Sequence, residues 1–433
     1  MFKGFKYALV LLAACTLMAG CKRTIVPGGE PEPGEKVYTG CIPENPDEVP
    51  RLYLNLPQGW GLDDVRKDMW TGNCSVRITA KVQGVESTVF TAEGAKVKGH
   101  GNSTWKAYPK KPLTLKLYQQ ANFIGTGKTK RWVLLANWMD RTLLRNELAF
   151  ELARRTSLEW TPSGTHVELY VNDEYQGLYW LAEKIHVEGS HFTCDYLYSY
   201  DTSDKEEHDF DTQHGHWKRA TAVGGIPVEL KYPDRDNYSP ERFYSILMNA
   251  KNTLYGIEEA LMRGDDPSSV MDMNSLCDWY LVEEVCSNGE AHFPKSTFLY
   301  AKDGKLFWGP VWDFDYGTFT PDRHGLPLKS TLYYYQLWTH PEFRSHLKHR
   351  WAILKPIFQQ VASGPFIGQK ANYIREAEVR NHQMWPCYPN PLAEDPSGLV
   401  NGDELMTFDE AVARLQQSLL ARIEDIKLEI NRL

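Results

Sequence analysis

The sequence predicts an α+β protein of two lobes, with strands gathered in the first and helices in the second. Two observations carry this. Apolar and polar residues alternate with period two through most of residues 49–185, whereas a helical period dominates after Pro240. A hairpin near residue 300 then interrupts the helices without ending them. Strands followed by helices pack as segregated layers, and a ligand site is expected in a cleft between them. The strand-rich lobe is placed at about 49–185 and the helical lobe at about 186–433. No internal repeat is visible.

The chain opens with "MFKGFKYALVLLAACTLMAGC". Lys3 and Lys6 precede an apolar run too short to span a bilayer stably, and "LMAGC" reads as a bacterial lipobox. Residues 1–20 are thus expected to be a lipoprotein signal peptide, cleaved before Cys21, whose thiol and new amino group become acylated. The alternative is an ordinary secretory signal cleaved nearby. Several acyl chains anchor firmly where one is marginal, so a lipid bilayer is the first expected partner. Lys22 and Arg23 follow with no acidic run, which favours the bacterial envelope, at the periplasmic face of the outer membrane. Residues 21–48 are rich in Pro, Gly and Glu and read as a flexible tether.

The first lobe then unfolds in order. "RLYLNL", "CSVRITAKVQG", "STVFTAEGAKVKGHG" and "PLTLKLY" alternate as strands, and "RWVLLANW" is a buried strand or connector. From Asp140, a candidate N-cap, to about Arg155 the spacing of Leu144, Leu148 and Leu152 predicts a helix. "HVELYVNDEYQGLYWLAEKI" predicts a hairpin turned at Asn172 and Asp173. Residues 201–225 are polar and read as a surface excursion; His208, His214 and His216 within it lack metal-ligand spacing. "IPVELKYP" returns as a strand. Two helices follow, then a hairpin "STFLYAKDGKLFWGPVWDFD" turned at Asp303-Gly304, then more helices. The last runs from Thr407 to about Asn431, with a T-x-x-E capping box and an apolar stripe of Val412, Leu415, Leu419, Ile423, Ile426 and Ile430.

With 433 residues and a net charge of −8, the chain can bury a large core but lacks the basic footprint of a nucleic-acid binder. Cys41, Cys74, Cys194, Cys277, Cys286 and Cys387 follow the signal region. Export would allow disulfides among them, but spacing assigns no pairing, and no zinc pattern appears. A serine hydrolase is disfavoured by the lack of a G-x-S-x-G elbow.

The chemistry-bearing stretch is "FWGPVWDFDYGTF", residues 307–319. On a strand, Asp313 and Asp315 would share a face and repel unless a cation, a basic side chain or water offset them. They are read as a metal site, against the alternative of a solvated acidic turn.

Four ordered stretches resemble the CotH family: "KVKGHGNSTWKAYPKKPLTLKL", "RWVLLANWMDRTLLRNELAFELAR", "VELYVNDEYQGLYWLAEKI" and "STFLYAKDGKLFWGPVWDFDYGTF". The resemblance implies an atypical protein-kinase-like fold, ATP with Mg²⁺ or Mn²⁺ between the lobes, and phosphorylation of protein Ser or Thr. It places Asp313 as the metal-binding aspartate, with Asp315 assisting. Asn102 and Ser103, in the Gly-rich turn, and one of Lys110 or Lys111 would approach phosphate. Arg145 would face phosphate or an acidic partner, and Glu183 would lie near the nucleotide. Family members carry Asn-x-Asp followed by Lys-Asn before the hairpin. Here "SNGEAHFPKS" supplies Glu290 as the catalytic base and Ser296 as the second metal ligand. Glu is one methylene longer than Asp, and a misplacement of about an ångström can cost on the order of 100-fold. The competing expectation is therefore a pseudokinase-like binding or surface-assembly module for an exported protein or glycan.

Overall fold

A computed structural model describes residues 40–125, 127–201, 218–221, 225–388 and 399–433. Cys21, its lipobox and His208, His214 and His216 lie outside the described residues. Ordered packing begins before the tether boundary suggested by composition: Ile42 is buried in the barrel core, and its N–H donates to Phe123 O at 2.6 Å.

Seven strands close a barrel: β1 (Arg51–Asn55), β2 (Thr71–Val82), β3 (Val85–Gly99), β4 (Leu113–Ala121), β5 (Thr129–Leu135), β6 (Gly164–Val171) and β7 (Glu174–Glu183). The order around it is β1-β2-β3-β4-β5-β7-β6, and the parallel β1–β6 pair closes the ring. Period-two alternation sends Leu52, Ile78, Val97, Leu115, Trp132 and Leu181 into one interior core. The β6–β7 hairpin turns at Asn172 and Asp173, both at positive φ, as the sequence predicts.

A second sheet, in the order β12-β11-β8-β10-β9, lies among the helices. Its strands are β8 (Tyr196–Tyr200), β9 (Lys218–Ala220), β10 (Pro227–Tyr232), β11 (Thr297–Lys302) and β12 (Lys305–Trp308). Two short or early helices, α1 (Ser103–Ala107) and α2 (Arg145–Arg154), interrupt the barrel strands. The later ones are α3 (Pro240–Arg263), α4 (Met273–Val285), α5 (Gly289–His292), α6 (Tyr334–Leu337), α7 (Pro341–Ser363), α8 (Phe366–Met384) and α9 (Phe408–Asn431). They share one large core with the second sheet and with α2. The α+β division is therefore present, with a closed barrel in the strand-rich part. Helix α9 keeps its Thr407/Glu410 capping box, and every stripe residue except the half-buried Val412 is buried.

Two elements differ from expectation for local reasons. Helix α2 starts at Arg145, five residues later than Asp140 suggested, because Leu143 adopts φ 59° and breaks the helical path. Asp140 still performs the capping chemistry from that distance: its carboxylate accepts Thr142 N at 2.9 Å and Arg145 N at 2.8 Å. Strand β12 stops at Trp308, so the predicted hairpin does not continue through Asp315. Pro310 follows, and with no N–H it cannot continue a ladder.

The barrel is fastened to α8 through a buried polar knot. Asn381 Oδ1 accepts Leu178 N at 3.0 Å and Lys110 Nζ at 2.8 Å, and Lys110 Nζ also donates to Ala136 O at 2.7 Å and to Leu178 O. The ammonium lies 4.5 Å from the centre of the Tyr179 ring.

Candidate functional site

Past the end of β12 the chain enters irregular backbone, and Asp313 sits at φ 70°. A non-glycine residue held there costs of order 1–3 kcal/mol and persists where the surroundings over-determine it. Here Phe314 N donates to Asn146 Oδ1 at 2.8 Å, and Gly317 N donates to Asn401 Oδ1 at 2.8 Å, pinning the segment on both sides of Asp315. Strand alternation thus does not bring Asp313 and Asp315 together; the pinned turn does. Their carboxyls lie close enough to act on each other's charge. Burial, then the charge of Asp313, holds Asp315 well above the ordinary carboxylate range. Asp313 is also raised by burial, against hydrogen bonds from Asp315 and Ser296 that favour its charge. Ser296 Oγ donates to Asp313 Oδ2 at 3.1 Å, itself from a residue at φ 49°.

Glu290 joins this group from the one-turn helix α5. Asn288 caps that turn, accepting Glu290 N at 3.0 Å, while its amide donates to Glu283 Oε2 at 2.9 Å. Glu290 faces the charges of Asp313 and Asp201, and Lys295 stands 3.8 Å away. Burial first, then Asp313, pushes its pKa up to about 7, near the optimum for a general base at neutral pH. Asp201, at the end of β8, is a member that sequence reasoning missed; only the β8–β11 pairing brings it beside the hairpin. Tyr108 is another: its buried hydroxyl has no hydrogen-bond partner among the described residues and lies in the field of Asp315, Glu290 and Asp313.

The structure brings together Glu290, Asp313, Asp315 and Ser296, and places the other candidates elsewhere. Lys110 is buried in the Asn381 knot, 1% exposed, and Lys111 Nζ donates to Trp105 O at 2.7 Å. Arg145 is also interior, locked between Asp140 and Asp403 with its Nε donating to Thr318 O at 3.3 Å. Glu183 is buried; its Oε2 accepts Ser163 N at 3.0 Å, and His191 lies 3.7 Å from Oε1. Asn102 and Ser103 are exposed on the Gly-rich turn, where Asn102 Oδ1 accepts Lys67 Nζ.

That turn needs its glycines. Gly101 lies at φ 76°, and a Cβ on Gly99 would come within 2.6 Å of the Trp105 ring. Gly99→Ala is expected to cost about 1–3 kcal/mol through this overpacking, read by urea denaturation. An unchanged midpoint would mean that Trp105 moves freely.

A cluster of cations lies on the outer face of the barrel, in the field of β10 and the turn after it. Register sets Lys96 opposite Lys116 and Lys116 opposite Arg131, while Lys98 lies opposite Thr114. Lys184 follows at the end of β7, its N–H donating to Arg131 O at 3.1 Å. Lys98, Lys116 and Lys184 have no carboxylate partner among the described residues. Burial and the neighbouring charges of Lys231, Arg131 and Lys98 lower Lys184 to about 7. The same causes, burial first, push His100 and His186 down to about 3. His100 spans the junction: Nδ1 is 3.1 Å from Thr114 Oγ1, and its ring lies 6.3 Å from that of Trp312, the residue before Asp313. Lys98 and Lys184 act on His100, while Lys98 and Lys116 lie 4.9 and 5.9 Å from the centre of the Trp70 ring, in the field of Asp234 and Asp236.

A profile of the CotH kinase protein family matches residues 97–423. The chain belongs to the CotH family. The match runs from the end of β3 to the last third of α9, so it takes in Lys98, Lys116 and Lys184 and the carboxylate group of this CotH protein. No curated protein matches the chain.

Proposed function

We propose that this CotH protein binds ATP with Mg²⁺ or Mn²⁺ at the junction between barrel and helical region, and transfers phosphate to Ser or Thr of exported proteins. The junction would correspond to the cleft of a two-lobed kinase-like fold. The observation that carries the reading is the gathering of Glu290, Asp313, Asp315 and Ser296 by the pinned turn after β12 and the one-turn helix α5. Like charges directly opposed on neighbouring strands are destabilising; Asp234 pairs Arg131 at 3.0 Å, and the Lys96–Lys116 pair would take a polyanion. Two carboxylates plus phosphate oxygens suit Mg²⁺, which keeps waters and seldom uses an all-protein cage.

In this reading Lys98, Lys116 and Lys184 take the phosphate role that the family resemblance gives to Lys110 or Lys111. Asp313 and Asp315 would hold the cation with Ser296 beside them, and the cation would neutralise charge on the transferred group. Glu290, oriented by Asn288, would accept the proton of the attacking hydroxyl. The body would be held in the bacterial envelope by the acylated Cys21. The binding-only alternative rests on Glu290 and Ser296, which replace the family's Asp and Asn.

The test is a melting curve with ATP and Mg²⁺ or Mn²⁺. The expected result is a rise in Tm that Asp313→Ala abolishes; no rise in the unaltered protein overturns the nucleotide reading. Radiolabelled transfer then separates enzyme from binder. Glu290→Ala should lower it about 10²- to 10⁴-fold while keeping the ATP-induced rise. Undiminished transfer would remove Glu290 from the chemistry, and binding without transfer in the unaltered protein would favour the alternative.

A further inference from the structure

A second group of potential ligands lies outside the acidic junction. His186 and Glu188 belong to the segment leaving β7, and Asp234 opens the turn after β10. One ligand atom from each lies within 4.8 Å of the others. His186 is 8% exposed, and its ring has no hydrogen-bond partner among the described residues. Its ring nitrogens are not sealed from solvent, so the imidazole and the two carboxylates beside it are within reach of a water-borne cation. The carboxylates are already oriented from behind. Arg131 Nη2 bonds Asp234 Oδ2 at 3.0 Å, and Asn237 Nδ2 donates to Glu188 Oε2. Outer partners of this kind fix the direction of metal-binding carboxylates.

We propose that His186, Glu188 and Asp234 form a three-ligand site for a transition metal of the Zn²⁺ class. One nitrogen and two carboxylate oxygens, with Glu188 exposed to solvent, leave room for water in a fourth position. The surrounding charges decide which metals enter. Arg131, Lys184 and Lys116 act on His186 from the barrel side, with Asp234 opposing them. This positive field disfavours Mg²⁺ and Ca²⁺, hard cations that bind oxygen ligands largely by charge, and favours a metal that bonds strongly to imidazole. Bound there, the metal would tie the segment after β7 to the turn after β10, cross-linking the exit of the barrel to the second sheet. This site shares no ligand with the Asp313 group, but Lys116 and Lys184, which the ATP reading gives to phosphate, act on His186, so metal binding is measured without nucleotide.

The test is calorimetric titration of chelator-treated, dialysed full-length protein with ZnCl₂, alongside melting curves. One equivalent should bind and raise Tm, with excess Mg²⁺ failing to compete. His186→Gln and Glu188→Gln should each weaken binding about 10- to 100-fold, and Asp313→Ala should leave it unchanged. Glu188 is exposed, so its variant reports on ligation even if His186→Gln folds poorly. Absence of saturable binding, displacement by Mg²⁺, or affinity unaffected by both substitutions overturns the assignment.

Discussion

Arg145→Ala is expected to destabilise the fold by about 3–5 kcal/mol, as breaking a buried ion pair from one side does. Arg145 is 1% exposed; its guanidinium bonds Asp140 and, at 2.6 Å, Asp403 Oδ2, and both carboxylates are fully buried. Truncation leaves two buried carboxylates facing each other with no cation between them. The effect reaches the functional junction as well. Arg145 Nε holds Thr318 O, while Asn401, two residues before Asp403, donates to Asp315 O at 2.9 Å and to Met139 O at 3.0 Å. The triad therefore joins the start of α2, the approach to α9 and the segment after Asp313. Urea denaturation should show the loss, and adding Asp403→Asn to Arg145→Ala should recover part of it by removing one stranded charge. A loss below about 1 kcal/mol would place the triad among surface-like pairs and refute its role as a tie.

The same arginine shows how far the sequence could be read. Local patterning placed the strands, the two hairpin turns and α9, because alternation, Asn-Asp and Asp-Gly turns and a capping box act within a few residues. Closure of the barrel rests on β1 pairing with β6, more than a hundred residues away, and no local pattern records that. The site divides along the same line. Asp313, Asp315, Glu290 and Ser296 lie on the segments flanking one hairpin, so a short motif sufficed to find them. Lys98 and Lys116 sit on two strands and Lys184 just past the end of a third, and only the pairing of those strands gathers them. The adjacent pair Lys110-Lys111 is more conspicuous in sequence, yet its members are held by backbone carbonyls. Arg145 looked available for phosphate because a lone helix exposes most of its surface; burial of α2 against the helical core removed that option.

The acidic junction should make stability fall as pH rises, and a divalent cation should reverse the fall. Glu290 is raised from about 4.5 to about 7 and Asp315 is raised well above its ordinary value, burial being the first cause in both. Between about pH 4.5 and 7 the folded chain thus keeps protons that the unfolded chain has released. The unfolded state binds fewer protons there, so stability declines through this window, and the Glu290 share of the decline levels off above it. For Glu290 alone the decline is on the order of 3–4 kcal/mol, since each tenfold change in proton affinity corresponds to about 1.4 kcal/mol. Mg²⁺ or Mn²⁺ favours the deprotonated carboxylates, so its stabilisation should be small at about pH 5 and large at about pH 8. Asp313→Asn separates charge from shape. Without metal it should raise Tm at about pH 8, because one of the crowded charges is gone, and it should also abolish the rise produced by the cation. A gain in stability paired with loss of the metal response is the pattern of a site whose charges are retained for function. Equal stabilisation by Mg²⁺ at both pH values, or a metal response that survives Asp313→Asn, would show that the cation acts elsewhere on the molecule.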